Sequence, residues 1–244
     1  MPIVLTLARL AADVYNDTSS GAIDGFKRIA PSFRMESANQ RESSFYGAAY
    51  VSGKIGVIAY RGSQERTDWF DADVDIGIGR FPIDQLGDAY DFFSSAKNLL
   101  IEAHGCERLV VTGHSLGGGL TQLVAASIGS VPVVGVTFNA PGAAGLKGPV
   151  NIPRKNEGSI FNYRARHDPV SLKGAHIGKN PVSIDVDIGL AGLATQALVG
   201  GVASVLASPL VGVGAGMATG ALLEHKMGPL IAALQMSPTG GVRH

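Results

Sequence analysis

Leu109-Val110-Val111-Thr112-Gly113-His114-Ser115-Leu116-Gly117-Gly118 is the stretch on which the fold turns. Its first four residues form a short apolar run of the kind a strand covered on both faces requires. The next five match Gly-x-Ser-x-Gly, and an apolar helical pattern from Leu116 to Ile128 follows at once. A serine between two glycines, after a strand and before a helix, is the signature of a sharp turn that lifts a hydroxyl above the sheet. The glycines matter because a Cβ at either position would meet neighbouring backbone on so tight a bend. The helix start beneath the serine offers unpaired N–H groups and a partial positive charge, which favour an alkoxide and a developing oxyanion. Ser115 is therefore the candidate nucleophile, and the N–H of Leu116 the first candidate oxyanion donor. The plainer reading, a glycine-rich turn with a serine cap, also fits the five residues, and the strand before and helix after weigh against it.

Outward from this segment the chain alternates. Strands are expected at 45–51, 55–60, 133–138 and 159–165, with a further one around Val182. An amphipathic helix is expected over 84–103, with Asp84 as its cap, Leu86, Tyr90, Phe93, Ala96, Leu100 and Ile101 on one face, and His104-Gly105 at its end. Ile3, Leu7, Leu10 and Val14 have helical spacing near the N-terminus, and a last helix is expected at 229–234. Strand and helix units repeated in this way predict an α/β class with a mostly parallel central sheet and helices on both faces. With 244 residues and 45% hydrophobic content, the economical organisation is a single domain over 1–244.

Lysine plus arginine and aspartate plus glutamate number 20 each, so no net field draws the chain to nucleic acid or an anionic surface. A single cysteine, Cys106, excludes an internal disulfide and a cysteine-based zinc site, and no metal or other cofactor is called for. The first 17 residues lack the basic start, long apolar centre and small-residue cleavage site of a signal peptide. Cytoplasmic residence and export by a leaderless route are both compatible with that, and oligomeric state is open.

Three segments together resemble the class 3 lipases, the family that contains the fungal triacylglycerol lipases, within the α/β-hydrolase superfamily. The first is the quoted nucleophile segment. The second is Tyr60-Arg61-Gly62-Ser63 followed by Asp68-Trp69-Phe70-Asp71, similar to the family's aromatic-Arg-Gly-Thr/Ser element and its Asp-Trp segment. The third, Tyr163-Arg164-Ala165-Arg166-His167-Asp168-Pro169-Val170, is similar to the strand and Asp-Pro-Val that carry the family's acid. They fall in family order between about residues 44 and 170. The resemblance implies an α/β-hydrolase fold, hydrolysis of lipid esters without a cofactor, and Ser63 as a second oxyanion donor. It implies Asp168 as the acid that orients a histidine, with Asp185 and Asp187 as substitutes. Chain order in the fold is nucleophile, acid, histidine. His225 fits the family's late histidine, and His176 stays open as the alternative base. His114 and His167 are set aside as immediate neighbours of Ser115 and Asp168.

Residues 64–80 occupy the family's lid region, where Trp69, Phe70, Ile76 and Ile78 serve either as a cover or as core. The stretch 188–223 holds no charged residue and is built largely from glycine, alanine, leucine and valine, with Pro209 near its middle. It reads as an apolar helical hairpin with arms of about 30 Å and 21 Å at 1.5 Å per residue, unequal spans against a hydrocarbon core of about 30 Å. Gly212, Gly216 and Gly220 align a small face for close helix contact. A lipid-facing cap, a buried or oligomer contact, and a true span are its three readings. The principal expectation is a lipid or other carboxylic ester as substrate, with contact at a lipid interface through 188–223. The alternatives are a membrane-active or assembly-forming protein on a degenerate hydrolase scaffold, and a triad directed at thioesters or peptides.

Overall fold

The computed structural model describes residues 3–16, 21–29, 45–62, 83–129, 131–145, 154–187 and 225–236. Expectations for Ser63, for the lid region and for 188–223 lie outside them. Helix α1 (Ile3–Asp13) opens the chain, and the short strands β1 (Ala22–Ile23) and β2 (Phe26–Arg28) follow. Next come β3 (Gly47–Ser52), β4 (Ile55–Tyr60) and helix α2 (Ile83–Asn98). Strand β5 (Arg108–His114), helix α3 (Leu116–Ser127), β6 (Val133–Phe138), β7 (Ile160–Ala165), β8 (Val182–Ile184) and helix α4 (Met227–Met236) complete the order.

Among the described residues, eight strands lie side by side in chain order. Pairing is antiparallel from β1 to β4 and parallel from β4 to β8. This is the mostly parallel α/β sheet that the alternating pattern predicts. Period-two alternation splits its side chains between two cores. Ala48, Tyr50, Val57, Ala59, Val136 and Phe138 pack with Leu7 and Leu10 of α1, Val14 just beyond it, and Leu230 and Leu234 of α4. Ile58, Tyr60, Leu109 and Val111 face the other way, against Phe92, Phe93 and Ala96 of α2 and Leu120 and Val124 of α3. Each fully buried leucine here contributes about 1.5–3 kcal/mol over its exposed state.

Two local corrections have physical causes. The helix of α2 begins at Ile83, so Asp84 lies in its first turn rather than at its cap; there its charge favours the N-terminal end of the dipole. The same helix ends in a π turn at Leu99–Ala103. Gly105, at φ +62°, then closes it, with Cys106 N–H bonded to the Leu100 carbonyl and Gly105 N–H to that of Ile101, a nested pair one residue wider than that of a glycine-terminated α-helix, as follows from the π turn. Among the described residues, no helix is long and apolar enough to cross a membrane.

The parallel register positions the site. Tyr60 is aligned with Gly113, His114 with Phe138, and Phe138 with Tyr163. The chain therefore leaves four adjacent strands at one edge of the sheet, the carboxyl edge where open α/β sheets bind ligands.

Candidate active site

Ser115 sits between β5 and α3 with φ +56° and ψ −129°, in a region that L residues with a Cβ rarely adopt. Such strain persists only where the surroundings over-determine it. Here the Ser115 N–H is bonded to the Phe138 carbonyl, and the Ser115 carbonyl receives the N–H groups of Gly118 and Gly119. Gly113 and Gly117 make the bend sterically possible. A Cβ on Gly113 would lie 2.4 Å from the Gly117 backbone, and one on Gly117 would lie 2.2 Å from the Tyr60 carbonyl oxygen. Gly117→Ala is thus expected to cost about 3 kcal/mol, the upper end of overpacking penalties, because the clashing atoms are backbone. A lowered midpoint in denaturant at unchanged m-value checks it.

Two residues distant in the chain meet Ser115. The His225 Nε2 is 2.9 Å from Ser115 Oγ, and its Nδ1 is 2.8 Å from Asp168 Oδ1. Asp168 is fully buried just beyond β7, and its carboxylate also accepts the N–H groups of Ser171 at 3.0 Å and Val170 at 3.4 Å. Burial alone raises a carboxyl pKa, but here the His225 hydrogen bond and charge and the Ser171 donors outweigh it, holding Asp168 below its usual value. An ionised Asp168 accepts the Nδ1 proton, which leaves the Nε2 lone pair facing Ser115. The geometry supports abstraction of the serine proton.

The remaining sequence candidates fall elsewhere. His176 Nε2 bonds to the Ala140 carbonyl, so the alternative base is directed away from Ser115. Asp185 is exposed and ion-paired with Arg166 through both oxygens, and Asp187 is exposed as well, so neither takes the place of Asp168. Leu116 begins α3 with its side chain in the core, which puts its N–H among the first, unpaired donors of the helix. Gly62 ends the described part of that region. A Cβ there would lie 3.1 Å from the Ser115 Cβ and 2.8 Å from the His114 carbonyl oxygen, so Gly62 itself lies beside Ser115.

Sequence reasoning missed three residues. His114, set aside as a neighbour of Ser115, reaches the His225 carbonyl with Nε2 at 2.8 Å. Asn139 Nδ2 donates to the same carbonyl at 3.1 Å, and the Tyr15 hydroxyl meets His114 Nδ1 at 2.9 Å. Only His114 carried a visible signal, by lying inside the glycine motif.

His114 also sets an acid response. Burial, then the charge of His225, lowers its pKa from 6.5 to about 3. Between those values the unfolded chain binds a proton that the folded protein refuses. Stability is therefore unaffected above pH 6.5 and falls by about 1.4 kcal/mol per unit across the window. Asp168, with its lowered value, acts in the same sense as pH falls through its folded-state pKa. His114→Gln is expected to flatten the stability profile over this window by one proton, as read from denaturant titrations at a series of pH values.

A serine, a histidine and a buried aspartate lie in line at the carboxyl edge of a mostly parallel sheet, the arrangement of the α/β-hydrolase fold. Residues 6–208 match the family described as phospholipase-like, with a Tle-like phospholipase domain, and the chain belongs to that family. It is similar to an extracellular phospholipase A1 of Serratia liquefaciens, 35% identical over 144 residues, which cover 57% of this chain and 42% of that protein. The chain thus spans less than half the length of that relative. The fold is similar to that of Lip2 lipase from Yarrowia lipolytica, with a TM-score of 0.52 at 16% identity over 75% of this chain and 79% of that one. A Rhizomucor miehei lipase in a propeptide complex has a TM-score of 0.54 at 17% identity, covering 75% of this chain and 67% of the other.

Proposed function

We propose that this protein hydrolyses carboxylic esters of lipids, phospholipids first among them, through an acyl-enzyme on Ser115. The observation that carries the proposal is the unbroken line from Asp168 through His225 to the Ser115 hydroxyl, with hydrogen bonds of 2.8 and 2.9 Å. Membership of a phospholipase-like family, and the Serratia phospholipase A1 likeness, support lipid as the acyl donor.

In this reading Ser115 Oγ attacks the ester carbonyl as His225 Nε2 takes its proton, and Asp168 stabilises the imidazolium. The carbonyl π electrons move to oxygen, where the Leu116 N–H and Ser63 donate to the oxyanion. Collapse expels the alcohol, protonated by His225, and leaves the acyl-serine. Water, deprotonated by His225, then releases the fatty acid and restores Ser115. Specificity for an aggregated substrate is assigned to 188–223, the uncharged segment, as a contact with the lipid interface. Residues 1–244 act as one α/β-hydrolase domain in this scheme.

The test is product analysis with phosphatidylcholine vesicles, a triacylglycerol emulsion and a soluble short-chain ester, alongside labelling by a fluorophosphonate. Fatty acid and lysophospholipid in equal amounts, with the label on Ser115, are expected. No acyl release from any of the three substrates, with Ser115 unlabelled in folded protein, would overturn the proposal.

A further inference from the structure

His225 lies two residues before α4, and its backbone carbonyl receives two side-chain donors at once. His114, the last residue of β5, donates from Nε2, and Asn139, the residue after β6, donates from Nδ2. Asn139 is itself fixed. Its backbone is left-handed at φ +46°, its Oδ1 accepts the Ala165 N–H at 2.7 Å, and its N–H bonds to the Tyr163 carbonyl. The tips of two adjacent parallel strands therefore converge on one carbonyl oxygen, and a third strand, β7, holds Asn139 in place.

The proton directions in this network follow from its two ends. The Gly62 N–H, a donor only, points at the Tyr15 hydroxyl oxygen at 2.9 Å. A backbone carbonyl at the far end can only accept. Between them Tyr15 passes its O–H to His114 Nδ1, and His114 passes Nε2–H to His225. This arrangement requires neutral His114 and protonated Tyr15. Burial first, with the charge of His225 second, holds His114 neutral down to about pH 3, while burial pushes Tyr15 up to about 12. The neutral state has a second consequence, since the His114 and His225 rings are 4.9 Å apart and a charged His114 would oppose imidazolium at His225.

We infer that Tyr15, His114 and Asn139 are positioning residues: they clamp the backbone of His225, and through Gly62 they tie the base to the chain just beyond β4. The inference rests on the proposed serine hydrolase reading. The clamp touches neither substrate nor reacting atoms, so it acts on the aim of the imidazole. A displacement of about 1 Å in a reacting group costs on the order of 100-fold in rate.

Asn139→Asp keeps the shape, the tolerance of positive φ and the oxygen for Ala165, but replaces a donor with an oxygen facing the His225 carbonyl. His114→Leu removes both ring nitrogens, whereas His114→Gln restores an N–H at similar reach and an oxygen for Tyr15. With a soluble ester, Asn139→Asp and His114→Leu are expected to lower kcat on the order of 100-fold with KM within about twofold. His114→Gln should recover most of the loss. Nitrogen-15 histidine spectra give a readout independent of turnover, the hydrogen-bonded Nδ1 proton of His225. That proton should persist in wild type and in Ser115→Ala and be lost to exchange in the two clamp variants. An unchanged kcat with an unchanged Nδ1 proton would overturn the clamp. So would a loss shared equally by His114→Gln and accompanied by loss of cooperative unfolding, since that pattern marks support of the fold alone. Failure of wild type to turn over or be labelled would refute the hydrolase reading separately, leaving the Nδ1 proton to decide the clamp.

Discussion

Ser115→Ala is expected to lower kcat by about 10⁶-fold while leaving a folded protein, the magnitude seen when the nucleophile of a serine hydrolase is removed. The size follows from what the hydroxyl does in the proposed mechanism. It forms the covalent bond to the acyl group, and among the described residues it is the hydroxyl bonded to His225 Nε2. The fold should survive because alanine keeps the Cβ and the backbone bonds that hold the bend, so φ +56° is no harder for alanine than for serine. Among the described residues the interaction lost is one partly buried hydrogen bond, worth about 1 kcal/mol. Steady-state turnover of a soluble ester, with unfolding in denaturant on the same sample, checks both halves. Turnover within tenfold of wild type would remove Ser115 from the chemistry.

The bend that carries Ser115 was legible because its geometry is dictated locally. Two glycines, a strand before and a helix after leave the chain few ways to turn. Asp168 was read from a short segment resembling a family and His225 from chain order after it, because nothing in residues 57 positions apart announces that they will touch. His114 shows the limit. Its neighbour relation to Ser115 said correctly that it points elsewhere, but not that it points at His225, 111 residues on. Tyr15 and Asn139 had no sequence signal, since their work depends on which strand ends lie side by side. The β1–β2 hairpin was missed for the opposite reason. Asp24-Gly25, with φ of +49° and +85°, is a strong local turn signal, yet strands of two and three residues are too short to show alternation. Asp24 then does tertiary work as well, bonding Thr6 and Arg9 of α1.

Asp168→Asn is expected to cost about 10⁴-fold in kcat, with KM little changed, although the substitution replaces one oxygen by one nitrogen. The reason lies in the donors around the carboxylate. Oδ2 accepts the Ser171 N–H, and Oδ1 accepts the His225 Nδ1–H and, more weakly, the Val170 N–H. A backbone amide can only donate, so the asparagine oxygen is drawn to Ser171 and its amide group is turned toward His225. His225 must then accept at Nδ1, which moves its own proton to Nε2. A proton on Nε2 faces Ser115 Oγ as a donor, where the mechanism needs an acceptor. The opposite orientation sets the asparagine amide against the Ser171 N–H in a fully buried site, and an unpaired buried polar group costs about 1–3 kcal/mol. Either orientation is penalised, one in rate and the other in stability. Paired measurements of kcat and unfolding free energy therefore separate them. A variant that retained both within tenfold of wild type and about 0.5 kcal/mol would show that Asp168 does not set the His225 tautomer.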